Sequence, residues 1–212
     1  MCGKVRARRS WQAAVSPDMA DGGGDEAQVY RVMDMVPIIV CDGAERYVMP
    51  MRWGFPDPAD WRRPRPIHAR SETIDTMPTF AAAFRDGLRG VLLVESFNEA
   101  PDSGAQHVFT PPQPVGIAML WRRFELGDTP LFAAVMVTVP ANALLTGLPT
   151  DRMPAILAPE DWAAWLGEDG AEGKAPKDCL KTVEGVRWRQ SPEQRAADRR
   201  ARPTVADPGG LF

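Results

Sequence analysis

Three apolar runs decide the fold class: GVLLVESFNEA at 90–100, PVGIAMLWRR at 114–123 and LFAAVMVTV at 131–139. Each run is rich in Val, Ile, Leu and aromatic residues, and none shows the 3.6-residue period of an amphipathic helix. Because short apolar runs of this kind are typical of buried strands, we predict that these runs, together with HVFT at 107–110 between the first two, form successive strands. The second half of the chain is therefore expected to be built mainly from β-sheet.

The first half of the chain contains a candidate β-hairpin. The runs MVPIIVC at 35–41 and ERYVMPMRW at 45–53 have strand character, and Asp42-Gly43-Ala44 joins them. A short Gly-containing connection between two such runs favours a hairpin. The next stretch, GFPDPADWRRPRP at 54–66, contains too many prolines for a regular element, so we predict an ordered but irregular crossing.

Short helices are predicted where Pro opens a segment and Gly closes it. This pattern occurs in TMPTFAAAFRDG at 76–87, PANALLTG at 140–147 and PEDWAAWLG at 159–167. From about residue 185 the chain is rich in Arg, Pro and Gly without periodicity, which predicts a tail that is disordered or laid on the surface. We therefore expect one strand-rich α+β domain over residues 1–184, with mixed antiparallel sheets and a few short helices, and a tail over 185–212.

Composition narrows the function classes. The chain has 212 residues and a formal net charge of −3, so any contact with nucleic acid must rely on local Lys and Arg rather than on bulk charge. No apolar run is long enough for a membrane span, and the basic start lacks the apolar stretch of a secretory signal, so we expect a cytoplasmic protein without membrane contact. The three cysteines share no metal-ligand spacing, and we expect no metal site and no cofactor.

Five motifs occur in order along the chain: MCG at 1–3, MRWGF at 51–55, HARSET at 68–73, SFNEA at 96–100 and TDRMPAIL at 150–157. Together they resemble the SOS-response-associated peptidase (SRAP) family, in which the corresponding motifs read M-C-G-R, W-G-L-I-P, N-A-R-x-E-T, G-F-Y-E-W and H-x-R-M-P. The resemblance spans nearly the whole core. It implies an SRAP-type fold and covalent capture of abasic sites in single-stranded DNA.

The residue at position 2 suits that chemistry. An opened abasic sugar carries an aldehyde, and an α-amino group, with a pKa of about 7.7–8.0, is a good nucleophile near neutral pH. If Met1 is removed, Cys2 offers both an amine and a thiol. The amine would form a Schiff base, and the thiol would close onto the same carbon to give a thiazolidine, a ring closure that proximity within one residue favours.

The resemblance also implies roles for other residues. Glu99 matches the catalytic glutamate of the family, while Arg70 and Arg152 match arginines implied to hold DNA phosphates. The expected DNA-binding set is completed by Trp53 of MRWGF and by Lys4, which directly follows MCG. Two alternatives stay open: Glu99 could be an exposed strand residue, and Arg152 could form a structural salt bridge with Asp151 or Glu160.

The chain departs from the family at two catalytic positions. His68 stands in place of the motif asparagine, and Thr150 stands in place of the motif histidine. Threonine does not titrate near neutral pH, so an acid–base role at position 150 is lost. One hypothesis is that His68 replaces the missing proton carrier. The other is that His68 only preserves the hydrogen bonding of the asparagine, and the sequence does not decide between them.

Three functions compete at this point. The leading interpretation is a cross-linker of abasic single-stranded DNA, which would be an enzyme or a suicide protein. A second is a cysteine-peptidase-like activity that removes a short propeptide from the chain itself, as the family name implies. A third is a catalytically degenerate module that binds single strands without a covalent product. The sequence leaves the oligomeric state open.

Overall fold

The computed structural model describes residues 2–8, 27–99, 106–127, 129–148, 150–171, 173–185 and 187–193. The strands in the described residues are β1 (Lys4–Ala7), β2 (Gln28–Arg31), β3 (Met35–Asp42), β4 (Glu45–Trp53), β5 (His68–Arg70), β6 (Arg89–Val94), β7 (Ser96–Glu99), β8 (His107–Thr110), β9 (Val115–Leu126), β10 (Thr129–Pro140), β11 (Arg152–Pro154), β12 (Ile156–Leu157) and β13 (Arg189–Pro192). The helices are α1 (Pro78–Arg85) and α2 (Trp162–Leu166), with 3-10 turns at Pro159–Asp161 and Pro176–Cys179.

The larger sheet closes on itself as a small barrel. β10 pairs in parallel with β4 and antiparallel with β9, and the ring continues through β3 and β6, all in antiparallel pairs. β5, β11 and β12 are added at its rim, by pairing with β10 or β9. The long β-branched and apolar runs form these strands because both faces of most of them are buried. The strand-rich α+β class expected from the sequence is confirmed.

A second sheet has the strand order β13-β8-β7-β1-β2. The chain passes from the barrel into it at Glu95, between β6 and β7, and the backbone N–H of Glu95 donates to the carbonyl of Arg6 at 2.8 Å. β1 lies between β2 and β7, and its register sets Lys4 opposite Asn98. This register brings the start of the chain beside the end of β7.

Local predictions are largely confirmed. β3 and β4 form the expected hairpin, with Asp42 opposite Glu45 and Gly43 at a φ of 63°. The helices predicted within 76–87 and 159–167 are present as α1 and α2, and Gly167 ends α2 in the left-handed conformation. α2 packs closely on the barrel, since a Cβ at Gly116 would lie 2.5 Å from the Trp162 ring.

The helix predicted over 140–147 is wrong. The segment forms turns, although Thr146 N–H donates to the carbonyl of Asn142 at 2.9 Å. The side chain of Asn142 binds locally and at a distance, accepting from Leu145 N–H at 3.0 Å and donating to the carbonyl of Val183 at 2.7 Å. The bond from Leu145 caps the start of a helical turn, but Gly147 and Pro149 disfavour its continuation, so only one turn forms.

Residues 54–66 form the expected irregular crossing, and it is well ordered by hydrogen bonds. Phe55 exchanges backbone bonds with Arg65 and Pro66, at 2.8 and 3.0 Å. The buried guanidinium of Arg52 donates to the carbonyl of Trp61 at 2.9 Å, which ties the outer part of the crossing to the barrel. This segment is therefore a fixed rim above the barrel.

The start of the predicted C-terminal tail is an edge strand. β13 is exposed along its length and pairs antiparallel with β8. Residues 194–212, the remainder of the predicted tail, lie outside the described residues. In the described part of the chain, none of the helices is both long and apolar enough to cross a bilayer.

Candidate functional site

Cys2 is buried where the second sheet meets the barrel. Its side chain is 1% exposed, and its thiol donates to the carbonyl of Lys4 at 3.5 Å. Burial, together with the neighbouring charge of Glu99, raises the pKa of the thiol well above its ordinary value. The resting thiol is therefore protonated at neutral pH. Met1 lies outside the described residues.

Glu99 closes the same site from the end of β7. It is 1% exposed, so the alternative of an exposed strand glutamate does not apply. Burial raises the pKa of its carboxyl to about 7, although a hydrogen bond from the backbone of Cys2 acts in the opposite direction. A carboxyl with this pKa can both give and take a proton at neutral pH.

His68 reaches Cys2 from the barrel side. β5 pairs with β10 so that His68 lies opposite Met136, and His68 Nε2 donates to the carbonyl oxygen of Cys2 at 2.7 Å. Because the carbonyl can only accept, the proton is on Nε2, and Nδ1 is a buried acceptor with no hydrogen-bond partner among the described residues. Burial lowers the pKa of His68 to about 4, which keeps the imidazole neutral at neutral pH.

His68 also lines a cavity of about 750 Å³. Its lining includes the exposed Arg70, and the crossing at 54–66 forms one of its rims. A volume of this size is typical of small-ligand pockets. His68 therefore both lines this open, partly cationic cavity and bonds to the buried Cys2.

Arg152 does not face this cavity. It is 8% exposed and forms a forked salt bridge with Glu72, with its Nη2 2.8 Å from one carboxylate oxygen and 2.6 Å from the carbonyl of Thr138. The salt bridge that the sequence left open is present, but its partner is Glu72 rather than Asp151 or Glu160. Glu72 lies in the HARSET motif, and sequence reasoning assigned it no role.

The remaining expected site residues are dispersed. The Thr150 hydroxyl donates to the carbonyl of Arg152 at 3.0 Å, so it supports the backbone that carries that arginine. Trp53 is fully buried and packs in the core, which leaves it no face to offer a base. Lys4 forms an ion pair with Glu193, beside β13. The structure thus brings together Cys2, His68 and Glu99, and it places Arg70 in the cavity that His68 lines.

The cavity also includes residues that the motifs did not indicate. Arg122 and Phe124, on β9, line it opposite the crossing, and the guanidinium of Arg122 lies 5.1 Å from the centre of the Phe124 ring. Arg122 was visible in the sequence only as one member of a basic pair. No group of three or more His, Cys, Asp or Glu side chains suited to a metal ion occurs within the described ranges.

Fold and site together define a strand-barrel domain with a buried cysteine at position 2 and a glutamate of raised pKa beside it. Residues 1–194 match the family model described as SOS response associated peptidase (SRAP). The chain belongs to the SRAP family. Membership associates the chain with DNA damage and DNA binding in general terms. A search of curated proteins gave no match.

Solved structures show the same fold. A protein from Bordetella bronchiseptica superposes with a TM-score of 0.73 at 20% identity, covering 91% of this chain and all of that one. A protein from Bacteroides thetaiotaomicron gives 0.73 at 19% identity, over 92% and 93% of the two chains. A phage-related protein from Bordetella bronchiseptica gives 0.64 at 21% identity, over 92% and 95%.

Proposed function

We propose that this protein, once Met1 is removed, captures abasic sites in single-stranded DNA by a covalent bond through Cys2. One observation carries the proposal: Cys2, Glu99 and His68 come from three separate motifs, yet they meet at one buried point. Packing alone gives no reason to bury a carboxyl beside a thiol, since burying an ionisable group is costly without a compensating role.

The reaction uses both groups of Cys2. The free amine adds to the aldehyde carbon of the opened sugar, and loss of one water leaves a C=N bond. The thiol then adds across that bond, its sulfur joining the carbon and its proton ending on the nitrogen. The product is a thiazolidine, and the only by-product is water. Since the thiol has a raised pKa, it needs an acceptor for its proton during this step.

Glu99 is the proposed proton carrier. With a pKa of about 7, it can donate a proton as water leaves and accept one as the thiol adds. His68 is the proposed positioning residue, because it stays neutral and holds the carbonyl of Cys2. Its bond fixes the orientation of the residue that carries both nucleophiles.

Arg70 is the proposed phosphate contact. It is exposed, lines the cavity next to His68 and has no ion-pair partner in the described part of the chain. An unpaired guanidinium at that place can bind a phosphate on the strand flanking the captured sugar. Arg152 instead bonds to Glu72 and to the carbonyl of Thr138, and it is not part of the proposed contact surface.

A denaturing gel with Met1-free protein and an oligonucleotide containing one abasic site tests the proposal. The unmodified protein should give a heat-stable adduct of one protein per strand. Cys2→Ala keeps the amine but lacks the thiol, so it should give only a Schiff base that borohydride traps. Cys41→Ala, which changes a cysteine outside the site, should cross-link normally.

Each competing function has its own result in the same experiment. A heat-stable adduct from Cys2→Ala at full yield contradicts the thiazolidine. Binding without any adduct from Met1-free protein would indicate a degenerate binding module. Mass spectrometry of the chain tests the peptidase-like function, since self-processing would expose Cys2 without DNA.

A further inference from the structure

The cavity beside His68 has an aromatic floor. Phe55, Phe80 and Phe124 all line it and form one cluster, in which Phe55 lies 6.2 Å from Phe80 and 5.1 Å from Phe124, measured between ring centres. Met77, 45% exposed, adds a further apolar side chain to the lining. Phe55 and Phe80 are buried and support Phe124, whose ring is partly exposed and is therefore the one on which a base can stack, irrespective of the identity of the base.

The rim of the cavity is preorganised. Within the crossing at 54–66, Asp57 N–H donates to the carbonyl of Arg63 at 3.0 Å, and Arg63 N–H donates to the carbonyl of Asp60 at 2.8 Å. With the bonds of Phe55 and Arg52 described above, these hold the rim at both its base and its tip. A ligand would meet a formed pocket and would not need to order the loop.

Most of the charged groups around the cavity are arginines. Arg65, Arg70 and Arg122 line it, and none of them has an ion-pair partner among the described residues. Asp57 is the acidic residue of the lining. One of its carboxylate oxygens accepts from Ala59 N–H at 2.8 Å, and the other has no hydrogen bond in the described part of the molecule. The cavity thus combines surplus positive charge with one available carboxylate oxygen.

We infer that this cavity holds the unstacked base of a nucleotide flanking the abasic site, and that it prefers guanine. The inference rests on the proposed function, because the link between the cavity and Cys2 is His68, which lines the cavity and donates to the carbonyl of Cys2. A strand whose abasic sugar reaches Cys2 would leave its neighbouring base at the cavity. The arginines at the rim would meet the phosphates of the same strand.

The preference for guanine follows from the two polar groups that the base would meet. Guanine presents O6 and N7 as acceptors, which an arginine fork binds, and N1–H and N2–H as donors, which a carboxylate accepts. Arg122 and Asp57 both line the cavity and are the groups we assign to these two roles. Adenine and cytosine would turn an amino group toward the guanidinium, and thymine lacks the N7 acceptor and the exocyclic amine. The cavity would therefore recognise the base next to an abasic site, although the abasic site itself has none.

Binding of free deoxynucleoside monophosphates tests this inference without any abasic chemistry. Calorimetry with Met1-free protein should show dGMP binding about tenfold more tightly than dAMP, dCMP or TMP, the ratio expected for one well-formed pair of base contacts. Equal affinities for all four nucleotides would overturn the guanine preference. Absence of binding by all four, at concentrations up to the millimolar range, would overturn the base pocket.

Two variants identify the groups responsible. Asp57→Asn should reduce the preference for dGMP to less than about threefold, since the amide cannot accept from both donors in the same way. Arg122→Ala should weaken dGMP most and the other nucleotides little. Arg123→Ala is the matched control, because this neighbour on β9 is exposed, pairs with Glu125 and does not line the cavity. Retention of the full preference by Asp57→Asn would contradict the assignment.

Cross-linking rates separate the two proposals. Oligonucleotides with each of the four bases on the 5′ or the 3′ side of one abasic site should react fastest with guanine on one of these sides. If no oligonucleotide cross-links but dGMP is still preferred, the covalent function fails and the base pocket stands. If all cross-link at one rate, and Asp57→Asn leaves that rate unchanged, the base pocket fails and the covalent function stands.

Discussion

Burial moves the pKa values of Glu99 and His68 in opposite directions. An apolar environment disfavours the charged form of each group, so the acid is raised to about 7 and the base is lowered to about 4. At neutral pH the imidazole carries no charge, while the carboxyl is close to half-protonated. The site therefore separates two roles: Glu99 can exchange protons, and His68 holds a fixed hydrogen bond.

Replacing Glu99 by Gln should remove this proton exchange. We expect Glu99→Gln to slow single-turnover cross-linking by about 100-fold and to abolish the inflection near pH 7, leaving that of the Cys2 amine. Gel-based rates between pH 5 and 9 measure both effects. Glu95→Gln is the matched control, since Glu95 lies four residues earlier and pairs with Arg6 and Arg8 at the surface. A Glu99→Gln variant with the wild-type profile would contradict the assignment.

The same residue should govern the dependence of stability on pH. Because the pKa of Glu99 rises from 4.5 to about 7 on folding, its contribution is fully present below pH 4.5 and is lost as the pH rises through 7. The shift corresponds to roughly 3 kcal/mol at most. Denaturant midpoints measured at pH 5 and pH 8 should therefore differ less in Glu99→Gln than in the unmodified protein. An equal difference in both would show that Glu99 is not the group responsible.

Replacing His68 by Asn tests whether the imidazole transfers a proton. Since His68 is neutral and donates to Cys2, an amide that keeps the donor should preserve the pH profile between 5 and 8. His68→Ala, which loses the hydrogen bond, should be slower by roughly fivefold at every pH. If His68→Asn instead loses an acidic limb of the profile, the imidazole is a proton carrier.

At the scale of the elements, the fork between Arg152 and Glu72 joins β11 to the turn after β5. Its geometry follows from the position of β10, which pairs with both strands and sets Thr138 opposite Arg70 on one side and opposite Pro154 on the other. Sequence reasoning offered Asp151 and Glu160 as partners because they are near in the chain. The true partner depends on a strand register that no local pattern encodes.

Removing the carboxylate of this fork should destabilise the fold. Glu72→Ala leaves the guanidinium of Arg152, whose side chain is 9% exposed, with only its bonds to Thr138; because the Glu72 side chain is itself 47% exposed, the cost is about 1–2 kcal/mol. Urea denaturation measures the loss. The bond to Arg152 lowers the pKa of Glu72 to about 2, so the stabilisation is present above pH 4.5 and fades as the pH falls toward 2.

The matched control for the fork is Asp75→Ala. Asp75 is three residues from Glu72 and forms an exposed ion pair with Lys177, so its removal should change the urea midpoint little. A Glu72→Ala variant as stable as Asp75→Ala would contradict a structural role for the fork. Arg152 would then be available for another partner.

Local patterns predicted local structure well. The β3–β4 hairpin and helices α1 and α2 follow from turn residues, Pro at a first turn and Gly at an end, all of which act within a few residues. The segment 140–147 shows the same punctuation but forms only one turn, because Pro149, two residues beyond its Gly, disfavours a helical conformation in the residue before it. A window of eight residues leaves that proline out.

At the scale of the whole molecule, the site exists because two sheets meet. Glu99 ends β7 of the second sheet, Cys2 directly precedes the neighbouring strand β1, and His68 comes from the rim of the barrel. The motifs predicted which residues matter, since each contains a chemically distinctive side chain. The cavity beside the 54–66 crossing could not be predicted. Its aromatic residues come from the crossing, α1 and β9, which touch only after the barrel closes.

The arrangement of charge over the molecule makes a further prediction about binding of undamaged single strands. The chain carries a net charge of −3, yet three unpaired arginines line one cavity. Binding should therefore depend on few phosphate contacts. In Cys2→Ala protein, which cannot form the thiazolidine, the affinity is measured at several salt concentrations and the slope of log affinity against log salt is taken. Adding Arg70→Ala should make this slope shallower by about 0.7, as expected for one lost contact to a single strand.

Arg85 supplies the control for this measurement. It is exposed at the end of α1, pairs with Asp86 and does not line the cavity, so Arg85→Ala should leave the slope unchanged. Fluorescence anisotropy between about 50 and 300 mM salt, a range that includes physiological ionic strength, measures both variants. Equal changes in slope from the two substitutions would mean that the strand meets the protein through diffuse charge. A change confined to Arg70 would instead place the phosphate beside His68, within reach of Cys2.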